Sequence, residues 1–188
     1  MNKITLLCLL MAGSIVIKAQ TITVYPSYEV YQAGKGTEYN ELLDIKDNGA
    51  SLKLKKGDEK IDLKCENIWG LNYNGELFRT EPNEHTLMML VNKGKIHYYE
   101  NGESNLWLLK NDRGKVKMSS GWEVCFSLSL ESPLVVVPTP GPSVPKKPWL
   151  EFKKSNPTLE PLFDCIKDQE SIDKIRDCVQ RFEDGKLK

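Results

Sequence analysis

Residues 65–100 read CENIWGLNYNGELFRTEPNEHTLMMLVNKGKIHYYE, and this stretch decides the fold class. Asn74-Gly75 separates residues 68–73 from residues 76–79. A two-residue Asn-Gly connection supplies the positive φ angles of a type I′ turn, so the flanking segments are predicted to pair as a hairpin. Residues 86–91 are apolar enough for a buried strand, Asn92-Lys93-Gly94 turns the chain, and residues 95–100 return it. Asn101-Gly102 closes that strand with the same turn chemistry.

Upstream, residues 21–25 and 28–31 read as two short strands broken at Pro26, with Ile22 and Val24 on one face. Residues 32–37 (QAGKGT) are a loop. A phosphate-binding loop needs a glycine where Glu29 stands and a Ser or Thr where Gly36 stands. Residues 39–45 fit either a helical turn or an irregular strand. Residues 51–56 and 60–65 alternate cleanly, with Leu52 and Leu54 on one strand and Ile61, Leu63 and Cys65 on the other. The outward Lys53, Lys55 and Lys64 fit the solvated face of an antiparallel sheet. Downstream, residues 105–110 and 115–119 are expected to pair, and residues 122–130 alternate through Trp122, Val124, Phe126, Leu128 and Leu130. About ten short strands at close spacing predict a mainly β domain over residues 20–137, an antiparallel sandwich or partly closed barrel.

The segments ENIWGLNYNGELFRT and VNKGKIHYYENGE resemble a group of small exported proteins of Bacteroidetes-type bacteria, which carry a WGF-x-x-x-G-x-x-(Y/F)-R … G-K-I-x-Y-Y pattern. The likeness covers residues 65–102, with a weaker echo in the C-terminal helices, and Leu71 stands where the pattern usually has an aromatic residue. The resemblance implies export and carries over no catalytic residue.

The composition changes at Pro133. Pro138, Pro140, Pro142, Pro145 and Pro148 predict an extended linker over residues 138–156, either a spacer or a segment for a groove-bearing partner. Residues 157–185 are predicted to form a helical hairpin. Leu159, Leu162, Phe163 and Ile166 make one stripe, with Thr158 as N-cap and Pro161 in the first turn; Ile172, Ile175, Val179 and Phe182 make the other. In one continuous helix Cys165 and Cys178 would lie ~20 Å apart, beyond a disulfide. A break near Asp168 lets them meet.

The first 19 residues, a short basic start and an apolar core ending at Lys18-Ala19, describe a secretory signal peptide cut after Ala19. That core is shorter than the ~20 residues of a membrane span, so no transmembrane anchor is expected in the mature chain. Cys8 lies too early in it to be a lipid-modified cysteine. Cleavage removes Lys3 and Lys18 from a chain with 26 basic and 26 acidic residues, leaving a net charge of about −2. Such a balance offers no basic field for nucleic acid. The location expected is the periplasm or the cell surface. There Cys65, Cys125, Cys165 and Cys178 are free to form disulfides, with Cys65–Cys125 and Cys165–Cys178 the favoured pairs and free thiols the alternative.

Candidate chemistry is sparse. His85 and His97 lack HExxH-type spacing and a third ligand, no G-x-S-x-G elbow is present, and Glu66, Glu76, Glu100 and Glu103 show no pairing legible in sequence. No catalytic residue, metal or cofactor is expected. Trp69, Tyr73, Phe78, Tyr98, Tyr99, Trp107 and Trp122 are too many for one face. Trp69, Tyr73, Tyr99 and Trp107 are therefore candidates for an exposed binding surface. These features predict a non-enzymatic binding module of the bacterial envelope, with a protein partner held through the C-terminal helices. The alternatives are a carbohydrate-binding or carbohydrate-active protein, or a structural envelope protein.

Overall fold

The computed structural model describes residues 21–110, 123–138, 146–167, 169 and 171–187. The expected signal peptide, the strand at 115–119, Trp122 and the linker prolines Pro140, Pro142 and Pro145 lie outside the described residues. The elements run Ile22–Tyr25 (β1), helix Tyr28–Gln32 (α1), Thr37–Tyr39 (β2), Glu41–Lys46 (β3), Ser51–Lys56 (β4), Glu59–Lys64 (β5), Gly70–Tyr73 (β6) and Glu76–Thr80 (β7). Then come Leu87–Lys93 (β8), His97–Asn101 (β9), helix Gly102–Lys110 (α2), Val124–Ser127 (β10) and Val135–Val136 (β11). Helices Lys146–Ser155 (α3), Glu160–Ile166 (α4) and Ile172–Glu183 (α5) follow.

The strands form an eight-stranded antiparallel sheet in the order β11-β10-β9-β8-β7-β6-β1-β2 and a three-stranded one in the order β3-β4-β5. Neither closes into a barrel, so the fold is the mainly β, antiparallel one expected, with a helical C-terminus. The β6–β7 turn is the one the Asn-Gly pair predicts. Asn74 and Gly75 take φ of 54° and 95°, and the Asn72 side chain accepts the Gly75 N–H at 3.0 Å.

The register sets what each face does. Val24, Leu71, Phe78, Met89, Glu100 and Val124 lie in one row across six strands of the large sheet. At the β1 end this face packs Ile22, Leu71 and Phe78 against Leu42, Leu52 and Leu54 of the small sheet and Leu106 of α2. At the β10 end the same face packs Tyr98, Val124 and Phe126 against Trp149, Leu162, Phe163, Ile175 and Val179 of the C-terminal helices. Each fully buried side chain of this size contributes roughly 1.5–3 kcal/mol, so both covers are integral to the fold.

The helices are also pinned by polar contacts. The Arg176 guanidinium grips the Glu100 carboxylate through Nε and Nη2, and the Glu100 side chain is only 2% exposed. At the other end of α5 the Glu183 carboxylate accepts the backbone N–H groups of Lys95 (2.9 Å) and Ile96 (3.2 Å). Gly94 permits this approach, since a Cβ there would stand 2.4 Å from that carboxyl group. Lys95 Nζ donates to the carbonyls of Phe182 and Glu183 at the helix end, where the Phe182 carbonyl also accepts the Gly185 N–H. Cys165 and Cys178 form the expected disulfide, with Cα atoms 5.8 Å apart, between the two helices of the hairpin.

Several expectations are corrected. Residues 28–31 are helical: Ser27 caps α1 by accepting the Val30 N–H at 3.4 Å. Residues 105–110 are helical too. Leu106 and Leu109, three apart, pack on the first core while Leu108 stays 45% exposed, the reverse of what a strand requires. The undecided segment at 39–45 is the irregular strand: Tyr39 ends β2, and residues 41–45 run in β3 with a register shift between Leu42 and Asp44. The linker expected over 138–156 gives way at Lys146 to α3, whose Trp149 is buried in the second core. Thr158 lies inside a 3₁₀ turn, Pro157–Leu159, rather than at an N-cap.

Cys65 and Cys125 are both free and buried, not paired. Cys65 sits in the first core, in a 3₁₀ turn after β5, with Sγ 3.3 Å from the Gly49 carbonyl oxygen. Cys125 lies on the opposite face of the large sheet, with Met88, Tyr99 and Leu134.

Candidate ligand-binding site

The face of the large sheet away from the two covers carries the polar chemistry. Tyr25, Gly70, Arg79, Met88 and Asn101 form one row across β1, β6, β7, β8 and β9. Beside it runs a row of Leu90, Tyr99, Cys125 and Val136. Gly70 separates Tyr25 from Arg79 without a side chain of its own. A Cβ there would lie 2.3 Å from the Phe78 carbonyl oxygen, so the β6–β7 backbones meet too closely for any other residue.

A cluster of aromatic rings stands at the β1 end of this face. Pro26 breaks β1, and one turn of helix, α1, then presents Tyr28 and Tyr31. The Tyr31 ring lies 4.7 Å from the Trp69 ring and 5.1 Å from the Tyr25 ring; Tyr28 lies 5.6 Å from Trp69 and 6.3 Å from Tyr31. All four residues are only partly buried. Burial, joined by the neighbouring phenols of Tyr25, Tyr28 and Tyr99, raises the Tyr31 pKa, so the Tyr31 hydroxyl stays protonated and able to donate.

Arg79 lies beneath. It is 4% exposed, and its guanidinium carbon sits 5.1 Å from the Trp69 ring centre and 5.7 Å from that of Tyr99. Nη1 donates to the Tyr99 hydroxyl at 3.2 Å, which is 3.1 Å from the Ser127 hydroxyl, and Ser127 donates on to the Ser129 carbonyl at 2.8 Å. Among the described residues Arg79 Nε has no acceptor and is sealed from solvent, and so is the Trp69 indole N–H. Among the described residues no carboxylate lies within ion-pair distance of Arg79. The buried acid two residues on, Glu81, is turned to its own loop: its carboxylate accepts the N–H groups of Asn83 (2.9 Å) and Glu84 (2.7 Å) and the Asn83 side-chain amide.

Two further groups face this region. His97 is buried with no partner at Nδ1; burial, then the charges of Lys93 and Arg79, lowers its pKa. The Cys125 thiol is pushed well up, first by burial and then by Glu81 and Glu123, against the pull of Arg79, so it is held as a thiol and is a poor nucleophile.

Of the aromatics proposed as a surface, Trp69 belongs to this cluster. Tyr99 does not reach the surface: it is fully buried and acts as the hydrogen-bond partner beneath. Tyr73 is fully buried in the first core. Trp107 packs on the first core from α2, with Lys110 Nζ 4.9 Å from its ring. Tyr25, Tyr28, Tyr31 and Arg79 were missed. For the tyrosines the signal was their three-residue spacing in YPSYEVY, which a helical reading places on one side. Glu66 and Glu76 are exposed, and Glu100 is held by Arg176, so these three form no carboxylate pair. His85 is half-buried in the loop before β8, with a left-handed φ of 58°.

Among the described residues no group of three or more His, Cys, Asp or Glu side chains is placed to hold a metal ion, and no helix is long and apolar enough to cross a membrane. Trp69, Arg79 and Tyr99, from three separate segments of the chain, meet in space at this site. Comparison of the chain with protein-family models, curated proteins and solved structures finds no match.

Proposed function

We propose that this protein is an exported binding module of the bacterial envelope, that its contact surface is the Trp69 aromatic cluster, and that its ligand is a saccharide. The observation that carries the reading is the packing of four partly exposed rings, each 4.7–6.3 Å from at least one other, outside both apolar cores. Rings so placed offer a stacking ledge for the apolar face of a sugar, and the tyrosine hydroxyls offer partners for its hydroxyl groups. Most apolar residues of the C-terminal helices pack into the second core, with Leu150 of α3 left exposed, so the ring cluster offers the larger apolar contact surface. Export is supported by the leader-like first 19 residues and is compatible with the disulfide of the helical hairpin.

The test is binding of the chain from residue 20 onward to an immobilised panel of neutral and acidic oligosaccharides, followed by titration of the ligands retained. Trp69→Ala and Tyr31→Ala are each expected to weaken binding about tenfold, the equivalent of about 1.4 kcal/mol of lost stacking. Undiminished binding in both variants, or no retention of any saccharide, overturns the reading.

A further inference from the structure

We infer that the Trp69 cluster takes an acidic sugar, with Arg79 as the anchor for its carboxylate; this rests on the saccharide reading above and names its ligand class.

The inference starts from an electrostatic imbalance. An arginine side chain does not give up its proton in proteins, so the charge on Arg79 persists although the residue is 4% exposed. A buried cation is normally offset by a carboxylate, because taking it from water costs several kcal/mol. Glu81 is committed to its loop, and no other described carboxylate comes within reach. The rings of Trp69 and Tyr99 offset part of that cost, since a cation near an aromatic ring gains roughly 0.5–2 kcal/mol. They cannot accept the N–H groups that point along the edge of the guanidinium.

The donor count sharpens the point. Nη1 is used by Tyr99, which leaves the Nε–Nη2 edge, the fork that matches the two oxygens of a carboxylate. Nε and the Trp69 indole N–H are both enclosed and, among the described residues, both lack an acceptor. Two unanswered donors on neighbouring side chains, one of them charged, describe a place short of acceptors, since Glu81 lies in the same region but commits its oxygens to its own loop. A ligand oxygen bearing a full charge supplies the acceptor. The aromatic rim fixes what carries that charge. With Trp69 beside both the cation and the rings of Tyr28 and Tyr31, a carboxylated pyranose offers a charge to the one and a ring face to the others, whereas a bare inorganic anion leaves the rings unused.

The probe is an oligogalacturonate, compared with the same oligomer fully methyl-esterified, which keeps the ring and removes the charge. Binding to the wild-type chain from residue 20 onward is followed by calorimetry and by tryptophan fluorescence, with Trp69→Phe identifying the responding ring. The acid form is expected to bind at least tenfold more tightly than the ester. Arg79→Lys, which keeps a charge and loses the fork, is expected to bring the acid down to the affinity of the ester. Because Arg79 is buried, its variant is scored only beside an unchanged circular dichroism spectrum; the acid–ester comparison on wild type decides the matter without it. Equal binding of acid and ester overturns the anchor and leaves the saccharide reading standing. Binding of neither defeats both. Inorganic phosphate or an acidic peptide displacing the probe at equal or lower concentration overturns the assignment to a sugar.

Discussion

Removing the Arg176 side chain tests whether the C-terminal helices are part of the fold. Arg176 makes two ion pairs of very different character. Its Nη1 lies 3.2 Å from Asp173, whose side chain is 81% exposed, while Nε and Nη2 hold Glu100, whose side chain is 2% exposed. The exposed i,i+3 pair is screened by water and contributes at most about 0.5 kcal/mol. Losing the partner of a buried carboxylate costs about 3–5 kcal/mol. The Arg176 side chain is itself 48% exposed, so water partly replaces it, and the lower end, about 3 kcal/mol, is expected for Arg176→Ala. Glu100→Gln is expected to cost less, about 1 kcal/mol, because the half-exposed guanidinium re-solvates. Replacing both residues by methionine removes the charges together and is expected to come out nearly neutral. Urea denaturation of the oxidised chain from residue 20 onward gives the four corners of the cycle, and the heat transition of Arg176→Ala is expected about 6–12 °C below wild type. An Arg176→Ala effect no larger than that of Asp173→Ala would refute the reasoning, because the pair to Glu100 would then contribute nothing beyond a surface contact.

Two other outcomes follow from buried groups. His97 resists protonation in the folded protein, whereas in the unfolded chain it takes up a proton near pH 6.5; stability is therefore complete above that pH and falls as the pH drops below it, by up to about 1.4 kcal/mol per pH unit. Urea midpoints between pH 7.5 and 5.5 are expected to fall more steeply for wild type than for His97→Asn, and equal slopes would show that the imidazole is not shielded. Burial pushes the Cys65 thiol up to about 12 and that of Cys125 well above its ordinary range. A thiol reagent at pH 8 is expected to find neither in the native chain from residue 20 onward, both in urea without reductant, and Cys165 and Cys178 as well only after reduction; rapid native labelling contradicts the burial.

Much of the fold was legible because its signals are local. Asn74-Gly75 fixes a turn by backbone preference alone, and the alternation of Leu52 and Leu54 against outward lysines fixes a face. The Cys165–Cys178 bond was legible because helix geometry forbids it unless the chain breaks between them. The errors fall where a short apolar run fits two periods. In NLWLLK, Leu106 and Leu108 suggest a strand and Leu106 and Leu109 a helix, and contact with the small sheet decides for the helix. YPSYEVY failed the same way, which hid three of the four rings of the site. Arg79 was hidden for a different reason. Next to Phe78 and before Thr80 it reads as the solvent-side residue of a hairpin, and the Trp69 and Tyr99 rings that lie beside its guanidinium come from other strands and turns. The unpaired state of Cys65 and Cys125 follows from the same long-range fact, since the side chains belong to different cores on opposite faces of the sheet.

The eight-stranded sheet connects the helices to the proposed site without bringing them into contact. On β9 successive residues point to opposite faces: Tyr98 and Glu100 meet the C-terminal helices, while His97, Tyr99 and Asn101 face the other way. Tyr99 positions the Arg79 guanidinium, and the backbone that carries Tyr99 is held by its neighbours Tyr98 and Glu100. The Glu183 contacts fix the turn at Lys95 and Ile96, where β9 begins. Period-two geometry thus makes the tail a support for the Arg79 site, acting through a strand both share. On this argument, loss of the Glu100–Arg176 pair or of the Glu183 clamp loosens Tyr99 and with it the Arg79 guanidinium, so affinity for the acid falls, affinity for the ester is unchanged, and the preference for acid over ester narrows.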